Sequence, residues 1–139
     1  MAIFERIMIV DDDVVSNYIC ERTLDRSNYA KEVLTFSLPE KALGHLNNIV
    51  KKGLWQELPQ VLFLDLQMPK VNGWQFLSRL KEIDQEIAQK IFIVMFSSSI
   101  FSEDMEQARN HPMIQQYHAK PLKAEMLEEI QQQAVGMFE

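Results

Sequence analysis

Val61-Leu62-Phe63-Leu64-Asp65-Leu66-Gln67-Met68-Pro69, followed by Lys70 to Gly73, is the stretch that decides the fold. Four apolar residues in a row stop at a carboxylate, and a proline and a glycine follow shortly after. An uninterrupted apolar run bounded by turn formers reads as a strand buried on both faces, the habit of a parallel sheet. Asp65 then stands at the C-terminal end of that strand, the edge where open α/β sheets bind their ligands. A carboxylate in that place can serve as nucleophile, metal ligand or helix cap.

The flanking sequence repeats the pattern. Ile3 to Val10 reads as a strand that ends on Asp11-Asp12-Asp13. Val14 to Arg26 has helical spacing, with Val15, Ile19, Cys20 and Leu24 as its apolar stripe. Glu32 to Phe36 is short and β-rich. Ser37 or Leu38-Pro39 opens a second helix whose apolar face is Ala42, Leu43, Leu46, Ile49 and Val50, and Gly53 closes it. A third helix follows Gly73 with Trp74, Leu77, Leu80 and Ile83 on one side. Ile91 to Phe96 is a further apolar strand, running into Ser97-Ser98-Ser99. Ser102 is placed to cap a short helix with Glu103 and Asp104 in its first turn. Asn110-His111-Pro112 ends that helix, Met113 to Ala119 reads as a weaker fifth strand, and Lys120-Pro121 breaks it. Leu122, Met126, Leu127, Ile130 and Ala134 mark a last amphipathic helix. Strands alternating with helices imply a parallel sheet with helices on both faces, joined by right-handed crossovers.

Size and composition narrow the function. A chain of 139 residues fits one domain, and the expectation is a single unit over 1–139 with no separate output domain. Apolar residues at 47% and charged residues at 24% are the balance of a folded globular chain. A formal charge of −6 argues against a nucleic-acid partner and suits a basic protein or a divalent cation. The single cysteine, Cys20, excludes an internal disulfide and reads as a small buried hydrophobe. No apolar run reaches the ~20 residues of a membrane span, and the N-terminus is not built as a signal peptide, so a cytoplasmic protein without a membrane is expected. His45, His111 and His118 have no ligand spacing, and the eight methionines are scattered as core filler.

Strand ends carry the chemistry. Asp11-Asp12-Asp13, Asp65, Ser97 and Lys120 each follow a different strand, and a parallel sheet brings all of those ends to one edge. Carboxylates converging there repel one another by about 4 kcal/mol per pair at ~4 Å and an effective dielectric near 20. A hard dication such as Mg²⁺ relieves that repulsion, since it takes one or two carboxylates together with waters and a phosphate. With a lysine and a hydroxyl added, the set supplies what phosphoryl transfer requires, because its transition state spreads negative charge over equatorial oxygens.

In Val10-Asp11-Asp12, in Asp65 with Met68-Pro69 and Gly73, in Ser97 and in Lys120-Pro121, the chain resembles the receiver domain of two-component response regulators. The likeness covers essentially the whole sequence. It implies the flavodoxin-like α/β sheet of order 2-1-3-4-5, doubly wound with five parallel strands. It implies Asp65 as phosphoacceptor, and Mg²⁺ held by Asp12, Asp65 and the backbone carbonyl of Gln67, with Asp11 acting largely through water. It implies Lys120 and Ser97 as contacts of the phosphoryl group, and Tyr117 as an aromatic switch coupled to that hydroxyl. The expected donor is a sensor histidine kinase or a histidine phosphotransfer protein. The expected target is a protein bound at about residues 102–133. By the resemblance the chain is a signalling protein and no enzyme beyond its own phosphorylation and dephosphorylation, a monomer with dimerisation on phosphorylation as an alternative. Two stretches depart from compact receivers: the Gly53 to Gln60 connection is long, and the Asn110-His111-Pro112 turn is extended.

Two other readings compete. Asp11-x-Asp13-x-Val15 matches the nucleophile motif of haloacid-dehalogenase-like phosphatases, but leaves Asp65 and Met68-Pro69 without a role. An unphosphorylated interaction module is the other, and the complete set of site residues argues against it. Asp13 also reads simply as a charge at a helix N-terminus.

Overall fold

The computed structural model describes residues 2–99 and 101–138. Five strands, β1 (Phe4–Val10), β2 (Ala30–Phe36), β3 (Val61–Leu64), β4 (Phe92–Ser97) and β5 (Gln116–Ala119), alternate with helices α1 (Val14–Arg26), α2 (Pro39–Lys51), α3 (Gly73–Ile83), α4 (Ser102–Asn110) and α5 (Ala124–Ala134). All pairings are parallel and the spatial order is β2-β1-β3-β4-β5. β3 lies at the centre, with Val10 opposite Leu64 and Leu64 opposite Met95.

Alternate side chains along the strands feed two separate cores. Met8, Val10, Leu62, Leu64, Ile93 and Met95 pack on the face covered by α2 and α3, against residues such as Leu46, Phe76 and Leu80. Ile7, Ile9, Phe63, Phe92, Val94 and Phe96 pack on the opposite face, against Cys20 and Leu24 of α1 and Leu127 and Ile130 of α5. Both faces being covered is why β1, β3 and β4 read as continuous apolar runs rather than alternating ones.

Three local expectations change. Val15 and Ile19 are 66% and 50% exposed, so the buried stripe of α1 is Asn17, Cys20 and Leu24 instead. The helix is rotated so that Val14, Val15, Tyr18 and Ile19 form an apolar patch in solvent. β5 begins at Gln116 rather than Met113, because residues 111–114 form a turn in which the Met113 and Ile114 amides donate to His111 Nδ1 and O. Ser102 is the first residue of α4 and not its cap; the cap position is Phe101, which offers no side-chain bond. No helix among the described residues is long and apolar enough to cross a membrane.

Candidate functional site

The ladder bonds show how the sheet brings the strand ends together. The Asp11 amide donates to Phe36 O at 3.1 Å, the Asp65 amide to Val10 O at 2.9 Å and the Lys120 amide to Ser97 O at 3.0 Å. Each of these residues is therefore the first beyond its strand, still held by the neighbouring one. Carboxylate oxygens of Asp11, Asp12 and Asp65 all lie within 4.8 Å of one another. Lys120 Nζ donates to Asp11 Oδ2 and lies 3.5 Å from Asp65 Oδ1. The Lys120–Pro121 peptide is cis.

Burial divides the acids. Asp11 and Asp65 are 2% and 6% exposed, whereas Asp12 is open to solvent. Burial first, and Asp11 beside it second, push the Asp65 carboxyl up to about 7 from an ordinary 3.8, with Lys120 pulling the other way. One lysine against three carboxylates leaves an excess of negative charge on an all-oxygen donor set. A hard divalent cation fits that set, and soft metals do not. Asp13 stands apart from this group: its Oδ1 accepts from the Val15 and Ser16 amides and caps α1.

The loop after Asp65 is fixed by Gly73 and Lys70. Gly73 donates its amide to Leu66 O at 2.8 Å, and a Cβ there would stand 2.8 Å from Asp65 O and 3.0 Å from Leu66 Cα. Only glycine lets the start of α3 approach the loop after Asp65 so closely. Lys70 adopts φ 67° and is spanned by a 2.7 Å bond from Val71 N to Pro69 O, a strained three-residue turn. Gln67 is exposed on the same loop.

Ser97 and Tyr117 meet at a third residue. Ser97 is buried at the end of β4, and its Oγ accepts the Ser99 amide at 3.1 Å. Tyr117 OH donates to the Ser99 carbonyl at 3.1 Å, and burial raises its own pKa. Of the residues singled out from the sequence, Asp11, Asp12, Asp65 and Lys120 form one cluster, and Ser97 and Tyr117 are joined through Ser99. Asn17 was missed. Its Nδ2 donates to Asp11 O at 2.8 Å and it is 6% exposed, while its Oδ1 has no partner among the described residues. A polar residue in register with Cys20 and Leu24 was the available signal.

The profile of the response regulator receiver domain matches residues 7–132. The chain belongs to that family. It is 29% identical over 135 residues to a probable methanogenesis regulatory protein of Methanothrix harundinacea, covering 94% of this chain and 83% of that one. It is 27% identical over 123 residues to hybrid signal transduction histidine kinase H of Dictyostelium discoideum, which is 88% of this chain but 8% of that kinase. The chain therefore spans a small fraction of some of the curated relatives it matches. A two-component response regulator of Cytophaga hutchinsonii shares the fold at TM-score 0.88 and 23% identity, over 98% of this chain and 99% of that one. Receiver domains are signalling proteins of two-component and phosphorelay systems, and the sheet order found here is theirs.

Proposed function

We propose that this receiver accepts a phosphoryl group on Asp65 from a phosphohistidine of a sensor kinase or phosphotransfer protein, and signals by binding a target protein. The observation that carries the reading is the convergence of Asp11, Asp12 and Asp65 within 4.8 Å beside Lys120 Nζ. Asp12, Asp65 and the backbone carbonyl of Gln67 would hold Mg²⁺ directly, and Asp11 through water. The cation supplies charge neutralisation for the phosphoryl oxygens and keeps the Asp65 carboxyl ionised. In the transfer an Asp65 oxygen attacks phosphorus, the P–N bond of the donor breaks, and its electron pair returns to the imidazole, which takes up a proton. Lys120 would balance charge on the phosphoryl group, and Ser97 would donate its hydroxyl to it.

Partners follow from the surface. The apolar patch of Val14, Val15, Tyr18 and Ile19 continues past Asp12 to Leu38 and Pro69, around a groove of about 620 Å³ at the rim of the site. A donor that delivers phosphorus to Asp65 must cover this rim. A second groove of about 260 Å³, between α4 and β5 and lined by Met105, Arg109, Tyr117 and His118, supports a target bound over residues 102–133. The phosphatase alternative loses support, since Asp13, its acid, is engaged in capping α1.

Intact-mass analysis after incubation with Mg²⁺ and a small phosphodonor tests the reading. One added phosphoryl group, lost with chelator and in Asp65→Asn, is expected. A group retained in Asp65→Asn would refute Asp65 as acceptor.

A further inference from the structure

Ser99 joins three parts of the molecule. Its amide donates to Ser97 Oγ at 3.1 Å, its Oγ donates to Asp104 Oδ2 at 2.6 Å, and its carbonyl accepts from Tyr117 OH at 3.1 Å. The Phe101 amide donates to Ser99 Oγ at 3.3 Å, so that hydroxyl is committed as donor and as acceptor. Ser99 is 8% exposed, and Asp104 in the first turn of α4 brings a carboxylate to it. A serine hydroxyl has one proton to give and two lone pairs. When Ser97 Oγ accepts the Ser99 amide, one lone pair is occupied and the hydroxyl rotor is restricted. The single O–H then has the Tyr117 hydroxyl within reach, and on the reading above it turns to the phosphoryl group on Asp65.

We propose that Asp104 is a positioning residue for phosphorylation, acting through Ser99 on the hydroxyl of Ser97. This rests on the assignment of Asp65 and Ser97 given above. Asp104 clasps the Ser99 side chain with a charge-assisted bond, the clasp fixes the Ser99 amide, and that amide orients Ser97. Asp104 itself need touch neither the donor nor the reacting atoms. Its usual contribution, a negative charge near a helix N-terminus, is separable from the clasp. Asp104→Asn keeps an oxygen that can accept the Ser99 hydroxyl while removing the charge. Ser99→Ala removes the hydroxyl while keeping the charge on α4.

The test is a set of phosphorylation rate constants on the full chain with Mg²⁺ and phosphoramidate, alongside amide hydrogen exchange at Ser99. Loss of one orienting bond predicts about three- to tenfold slower phosphorylation in Asp104→Ala and Ser99→Ala. Asp104→Asn should stay within about twofold of wild type on the same grounds. The Ser99 amide should exchange faster in Asp104→Ala and remain protected in Asp104→Asn. The decisive arm is Ser97→Ala, in which adding Asp104→Ala should cause no further slowing. An undiminished effect of Asp104→Ala in the Ser97→Ala background overturns the proposal, as does a wild-type rate in both Asp104→Ala and Ser99→Ala. If wild type takes up phosphoryl groups and these arms fail, the clasp alone falls. If wild type takes up none, the assignment of the site falls with it, whatever the exchange at Ser99.

Discussion

Removing the Asp65 charge should stabilise the metal-free protein. In the fold the Asp65 carboxyl is pushed up to about 7 by burial and by Asp11, against 3.8 unperturbed. A difference of that size makes ionisation in the fold about 4 kcal/mol more costly than in the unfolded chain, at ~1.36 kcal/mol per decade. The sign follows from proton binding. Between pH 4 and 7 the folded state holds a proton that the unfolded state has lost, so stability falls as pH rises through that window and levels off above it. Asp65→Asn removes this titration, but it also removes the partner 3.5 Å from Lys120 Nζ and leaves an amide that must find its own bonds. Those losses take back about 1–2 kcal/mol. In chelator at pH 8, urea unfolding followed by Trp55 and Trp74 fluorescence should therefore show Asp65→Asn more stable by about 2–3 kcal/mol. The gap should close towards pH 4.5, where the folded wild type is protonated and the unfolded chain is starting to take up the same proton. Millimolar Mg²⁺ should narrow it at pH 8 by stabilising wild type alone. A variant equal to or less stable than wild type at pH 8, with no pH dependence in the difference, would refute the electrostatic account of the site.

Two further outcomes follow from the geometry. Asp12→Ala removes an exposed carboxylate from the proposed ligand set and should weaken Mg²⁺ binding about tenfold or more, read by titration of Trp74 fluorescence; an unchanged titration would take Asp12 out of that set. Gly73→Ala puts a Cβ 2.8 Å from the Asp65 carbonyl, against backbone that has no side chain to rotate away. It should cost about 1–3 kcal/mol in urea unfolding despite the better helix propensity of alanine, and a loss below ~0.5 kcal/mol would show that the loop yields freely.

What was legible in the sequence, and what was not, divides along physical lines. β1, β3 and β4 are buried on both faces, so Ile7–Val10, Val61–Leu64 and Phe92–Phe96 announce themselves as unbroken apolar runs. β5 is an edge strand of Gln116, Tyr117, His118 and Ala119, only partly buried, and its start was misplaced by three residues. The stripe on α1 was misread because periodicity reports apolar spacing and not burial. Val15 and Ile19 are spaced like core residues and lie in solvent, while the polar Asn17 is inside. Asp11, Asp12, Asp65 and Lys120 could be brought together from sequence because parallel topology sends every strand end to one edge. Asn17, the Ser99–Asp104 clasp and the steric role of Gly73 depend on individual bonds and contacts, which no spacing rule encodes.

The same neighbours explain both the instability of Asp65 and its use. Burial and Asp11 raise the cost of a charge on Asp65, and the fold gains nothing from bearing that cost as structure alone. Lys120 offsets it only in part, because its ammonium is bonded first to Asp11 and stands farther from Asp65. The remaining excess of negative charge lies on the exposed side, where Asp12 opens to solvent. A cation entering there would meet a site already assembled and short of positive charge, so its binding energy is available without refolding the loops. A phosphoryl group alone would deepen the negative excess, and with the cation it would not. On the proposed function, charge predicts the order in which the two bind: cation first, phosphoryl group second. Phosphorylation rates that rise and saturate with Mg²⁺ concentration would bear this out, and rates independent of Mg²⁺ would mean that Lys120 suffices.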